Sequence, residues 1–238
     1  MALSHRPFSP ALASMLLALL LAGAAQAAEI VGGREAQPHS RPCMASLQLR
    51  GTQGGHFRGG TLIHPSIVLT AAHCLQDIPY VGAILGGEPH NLQTPEPTQQ
   101  EFSVAQVFQN DCLTAAHLLP QLSRPATLDA SVATLQLPQQ DQSVPHGTQC
   151  LAMGWDRLGT HDPAAWVLQE LNVTVVTFLC RWHNVCTSVP RRSAGICFGD
   201  SGGPLICDGV VQGVDSFVIR GCASCQFPDF FVRVALYP

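Results

Sequence analysis

The stretch Cys197-Phe-Gly-Asp-Ser-Gly-Gly-Pro-Leu-Ile-Cys207 sets one serine, Ser201, between an acid and a pair of glycines, with flanking cysteines that could lock it in place. The apolar Pro204–Cys207 segment reads as a short strand. By itself GDSGG is a turn sequence, because glycine and aspartate are the residues that tight turns use. Its reading is decided by what stands around it.

The chain has 238 residues, 46% of them apolar and 12% charged, which is ample for one or two buried cores and argues against disorder. All twelve basic residues are arginine, sixteen acids leave a formal charge of −4, and Arg191-Arg192 is the one adjacent basic pair. A nucleic-acid partner is not expected, since backbone recognition needs a concentrated positive face. At the N-terminus Arg6 precedes an apolar run over residues 11–25 and a small-residue site at Ala25-Gln26-Ala27. This pattern predicts a signal peptide over 1–27, removed on export, because the run is shorter than the roughly 20 residues that span a bilayer. No other apolar run approaches that length, so no transmembrane span is expected. In an exported chain ten cysteines favour disulfides over metal. Cys222-Ala-Ser-Cys225 has no second such pair to complete a zinc site, and neither a metal nor a cofactor is expected.

Beyond residue 29 come short apolar runs rich in β-branched residues, broken by Gly, Pro and Asn. Residues 61–70, 101–108, 167–176, 204–207 and 209–219 read as strands. Eighteen prolines disfavour long helices. An all-β barrel or sandwich follows from the pattern alone. The polar segment 138–145, PQQDQSVP, reads as a connector between two halves.

Together, EIVGG at 29–33, TAAHC at 70–74 and GDSGG at 199–203 resemble the trypsin-like serine peptidase family, of chymotrypsin fold. EAQPHSRP, GGTLIHPS, LQELNVTVV and GICFGDSGGPLICDG are most similar to its myeloblastin and neutrophil elastase branch. The resemblance implies two six-stranded antiparallel β-barrels, roughly 30–140 and 141–238, with the active site between them. It implies a serine endopeptidase in which Ser201 is the nucleophile and His73 the general base that takes the hydroxyl proton and later protonates the leaving amine. The N–H groups of Gly199 and Ser201 form the implied oxyanion hole, where each such donor contributes on the order of 10²–10³ in rate. Residues 28–29 become an activation dipeptide, and Asp200 pairs with the ammonium of Ile30 once they are removed. Until then the chain is a zymogen, because a buried carboxylate needs its partner. The floor of the specificity pocket falls on Gly195 rather than an acid, with Ile196 and Val218 narrowing the slot and Asp229 at its base. That implies cleavage after small aliphatic residues and not after Lys or Arg. Disulfides Cys150–Cys207, Cys180–Cys186 and Cys197–Cys222, protein substrates, serpin-type inhibitors, a monomer, and a secreted or granule location complete the expectation. Asn172-Val-Thr is a glycosylation acceptor in that compartment.

The sequence departs from the family in several places. Aligned back from QLSRPA (121–126), Ala116 stands where the third triad residue, an aspartate, belongs; aligned on Asn110-Asp111-Cys112-Leu113, Asp111 supplies an acid but residues are added inside a strand. In this family, replacing that aspartate by asparagine lowers kcat about 10⁴-fold through the wrong histidine tautomer. Arg58 occupies the place of a cysteine that would bridge to Cys74, leaving Cys43, Cys74, Cys112 and Cys225 without family partners. Asp156 replaces a common glycine, and the chain stops at VRVALYP without the family's terminal helix. The alternative reading is a catalytically inactive homologue that binds or signals.

Overall fold

The structure is a computed structural model and describes residues 30–49, 55–75, 81–85, 91–92, 94, 96–109, 117–155, 166–197 and 201–237. Among them there is no α-helix, and thirteen strands carry the fold. The first barrel is built from β2 (Met44–Leu49), β3 (His56–His64), β4 (Ile67–Ala71), β5 (Val81–Leu85), β6 (Gln100–Gln109) and β7 (His117–Leu122). It closes in the order β2-β3-β4-β7-β6-β5, all antiparallel. The run 61–70 is therefore a hairpin and not one strand, because the chain reverses at Pro65-Ser66 and Leu62 pairs back with Val68. Pro65 has a fixed φ and no N–H to offer a ladder, which is where a strand turns most cheaply.

The second sheet holds β8 (Gln149–Gly154), β9 (Gln169–Val176), β10 (Asn184–Ser188), β11 (Pro204–Cys207), β12 (Val210–Phe217) and β13 (Asp229–Arg233). It curls until β8 pairs with both β9 and β11. The two-residue β1 (Arg34–Glu35) pairs with the first two residues of β9, so the N-terminal end of the described chain belongs to this second sheet. Residues 138–145 run between the last strand of the barrel and β8.

Each sheet encloses its own core. Leu47, Leu62, Val68, Phe102 and Leu118 fill the barrel, and Ile30, Val173, Val185, Leu205 and Phe231 fill the curled sheet. Complete burial of such a side chain stabilises by about 1.5–3 kcal/mol. A third cluster lies between the two, where Leu69, Ala71 and Cys74 meet Val211, Val214 and Val234. A fourth joins Met44 to Met153, Trp155 and Leu168. The buried Glu170 on β9 accepts from Arg34 Nε at 2.8 Å and from Arg41 Nε at 2.8 Å, tying the chain entering the barrel to the second sheet.

Candidate active site

β4 ends against the interface cluster, and the chain leaves it through a single 3-10 turn, Ala72–Cys74. His73 sits on that turn with an exposed edge while Cys74, its neighbour, is buried. On the other side of the interface, Ser201 opens the turn into β11. Its carbonyl accepts the N–H of Gly59 from β3 at 3.1 Å, and the carbonyl of Gly59 in turn accepts the Thr70 hydroxyl of β4 at 2.9 Å. On its own side, Gly202 N–H donates to the Asp215 carbonyl at 2.9 Å, and Asp215 N–H donates to the Gly203 carbonyl at 2.8 Å. A continuous set of hydrogen bonds therefore holds the Ser201 turn against β3 and β4, the strands that carry the chain to His73. Gly202 has φ +91°, and a Cβ there would run into Thr70 Oγ1 and the Gly59 carbonyl. The glycine after the serine is thus required both by backbone conformation and by the closeness of the two halves.

The imidazole has an unusual environment. Its Nε2 lies 3.8 Å from Cys74 Sγ, and among the described residues no hydrogen bond joins His73 to Ser201. Desolvation holds the His73 pKa below its ordinary value, and the Arg58 guanidinium lowers it further. Arg58 is half-buried on β3, donating to its own neighbour's carbonyl, Phe57 O, at 2.7 Å, while its Nε lacks a partner. Cys74 forms no disulfide, and burial pushes its pKa up to about 11, so it is a neutral thiol.

Behind the serine turn, Gly195 lies directly over Asp229. A Cβ on Gly195 would stand 2.5 Å from Asp229 Oδ2, and that oxygen accepts the Ile196 N–H at 3.1 Å. Burial raises the Asp229 pKa to about 7, with the Ile196 hydrogen bond pulling the other way. Ile196 is fully buried in the second core and Val218 packs half-buried on that core. Ile30 is buried in the same cluster, and Val31 bridges to Gly195, which brings the first described residues beside Gly195. Asn172 is exposed on β9. Three disulfides join Cys150 to Cys207, Cys180 to Cys186 and Cys197 to Cys222, the last fastening the segment before Ser201 to the chain after β12.

Asp111, Cys112, Ala116, Asp156, Gly199, Asp200 and the segment 1–29 lie outside the described residues. β7 begins at His117, paired with Ala71, two residues before His73. Two features had no counterpart in the sequence reading. Asp215 is buried on β12 near enough to Cys74 to raise its pKa, and the His56 ring of β3 packs on Trp155 with centroids 5.4 Å apart. An acid inside the apolar run 209–219 was the one visible signal for the first. Nothing local marks the second.

The family model for Trypsin matches residues 30–238. Mouse (Mus musculus) neutrophil elastase is 54% identical over 234 residues, covering 95% of this chain and 86% of that protein. Human (Homo sapiens) azurocidin is 40% identical over 233 residues, covering 95% and 91%. A solved structure titled human heparin binding protein superposes with a TM-score of 0.81 at 40% identity, covering 87% of this chain and 93% of that one. With one closed six-stranded barrel, a second curled sheet and these relatives, the chain belongs to the trypsin-like serine peptidase family.

Proposed function

We propose that the chain, once residues 1–29 are removed, is a secreted or granule-stored serine endopeptidase that cleaves after small aliphatic residues and turns over slowly. Ser201 attacks the scissile carbonyl, His73 accepts its proton, and the N–H groups of Gly199 and Ser201 stabilise the oxyanion. The new ammonium of Ile30 pairs with Asp200, and the slot over Gly195 and Asp229 takes the side chain preceding the cut. Exported protein substrates, restraint by serpin-type inhibitors, a monomeric state and a glycan on Asn172 belong to the same reading.

The observation that carries it is the 3.1 Å bond from Gly59 N–H to the Ser201 carbonyl, which seats the nucleophile's turn on the half that bears the histidine. Slow turnover follows from the imidazole. Its pKa is lowered by burial and by Arg58, and no carboxylate among the described residues acts on it, which makes it a weak base. The alignment that puts Ala116 just before β7 agrees with this.

A second reading, a binding homologue without hydrolytic activity, is favoured by one contact: Nε2 of His73 is within reach of Cys74 Sγ rather than bonded to Ser201. A serine-directed fluorophosphonate separates the two. The endopeptidase predicts labelling of the processed protein at Ser201, slower than for ordinary relatives and absent in Ser201→Ala. Folded, processed protein that takes no label would establish the second reading.

A further inference from the structure

Residues 192–196, on the way from β10 toward Ser201, are held from two directions. One is the turn that opens the described chain, where Ile30 is buried and Gly33 N–H donates to the Ile30 carbonyl at 2.6 Å. The other is Asp229, which lies under Gly195 and accepts the Ile196 N–H. The three carbonyls of the turn all have donors: Ile30 O takes Gly33 N–H, Val31 O takes Gly195 N–H at 3.0 Å, and Gly32 O takes a guanidinium nitrogen of Arg192 at 2.7 Å. Arg192 is the one side chain among these donors. The fit is close as well, since a Cβ on Gly32, which has φ +76°, would stand 2.7 Å from Ala194 Cβ and 3.1 Å from the Arg192 guanidinium. The backbone of Arg192 is itself anchored, its N–H donating to the Val189 carbonyl at 3.4 Å in the turn that leaves β10.

We propose that Arg192 is a positioning residue, whose hold on the Gly32 carbonyl keeps the 30–33 turn seated and thereby keeps Gly195 in place at the floor of the specificity slot. The inference rests on the processing before Ile30 and on the slot over Gly195 and Asp229 proposed above. Once the chain begins at Ile30, the turn is an end that is free to leave. When it lifts, the bonds from Gly195 and Arg192 break together, and Gly195 loses the partner of its N–H while Asp229 remains below. A hydrogen bond from a charged donor is roughly twice as strong as one between neutral groups, so Arg192 carries a large share of that hold. Arg192 is exposed, so its effect is on this turn and not on either core. It gives the carbonyl a single nitrogen, a contact that lysine also supplies, whereas glutamine is shorter and neutral.

The chain contains no lysine, so protein that begins at Ile30 carries one primary amine, and cyanate reports how often that buried end emerges. The full chain is exported and processed, and the parent, Arg192→Gln and Arg192→Lys are treated with cyanate in native buffer and read by peptide mapping, which separates Ile30 from the introduced lysine. We expect Ile30 to be carbamylated several-fold faster in Arg192→Gln than in the parent, Arg192→Lys to stay close to the parent, and the urea midpoints of all three to coincide. A product peptide ending in valine, whose binding needs no turnover, should bind several-fold more weakly to Arg192→Gln. Equal carbamylation of the parent and Arg192→Gln, a lysine variant as fast as the glutamine one, or a fall in urea midpoint that accounts for the faster reaction would each overturn the proposal. So would an affinity for the product peptide that is absent in the parent or undiminished in Arg192→Gln, or a chain that never acquires an end at Ile30. A parent that takes no fluorophosphonate on Ser201 would refute the endopeptidase alone, and the cyanate and peptide comparisons would still judge Arg192.

Discussion

Asp229 shows how one side chain can be needed in place and still weaken the fold. Its pKa is about 7 in the folded chain and near the ordinary 3.8 when unfolded, so between these values the folded state binds the extra proton. Stability from this group is complete below the lower value and is lost as pH rises through the upper one, by about 1.4 kcal/mol per pH unit. Asp229→Asn keeps an oxygen for the Ile196 N–H and never ionises. Urea unfolding should show the variant more stable than the parent at pH 8, with the difference closing as pH falls toward 4. The carboxyl was legible in the sequence through its family position. Its isolation was not, because burial is set by Gly195 and by strands far away in the chain.

At the level of elements, β3 and the turn after β4 meet without a covalent tie. Arg58 points a charge at a place where Cys74 waits unbridged, and that charge lowers the histidine next door. Arg58→Cys should restore a bridge closing a loop of about 15 residues, for which chain entropy predicts about 3 kcal/mol. Non-reducing peptide mapping should find the introduced thiol joined to Cys74. The thermal midpoint should rise, and the His73 pKa, followed by NMR, should move up toward its ordinary value. The strands themselves were readable from periodicity in β6, β9, β11 and β12. The hairpin within 61–70 was not, because both arms are apolar and only Pro65-Ser66 marks the reversal. β7 would have been hard to place by pattern alone, since it carries Pro120 between two partner strands; its ladder with β4 skips that residue, pairing Ile67 with Gln121 and then Thr70 with Leu118.

For the molecule as a whole, two deeply buried imidazoles among the described residues tie stability to pH. His56, whose Nδ1 lies 2.9 Å from the Ser46 hydroxyl and whose ring packs on Trp155, has its pKa lowered by burial and by Arg58 to about 3. His117, edge-on to Tyr237, is lowered by burial to about 4, against a hydrogen bond to Val232. Both bind protons more readily when unfolded, so each contributes stability that is present above 6.5 and is lost as pH falls toward its folded value. Between about pH 4 and 6.5 these two gains, joined by that of the lowered His73 imidazole, outweigh the opposite trend of Asp229, so stability rises with pH. His56→Gln with His117→Gln should lower that slope in urea titrations across the same range. The two-sheet architecture, the three disulfides and the candidate nucleophile were legible through short motifs that recur in one family. What unites the halves was not: Met44 with Trp155, Glu170 with Arg41, and His56 with Trp155 are partners far apart in the chain, and no local pattern encodes them.

The link from Gly59 to Ser201 also governs how such a chain can change over generations. A chimera that took residues before 123 from one relative and residues after 148 from another would inherit two sound sheets and still have to reproduce a single hydrogen-bond length across the seam. Swappable halves are therefore restricted to those cut to a common gauge, and the residues around that seam are free to vary only in concert.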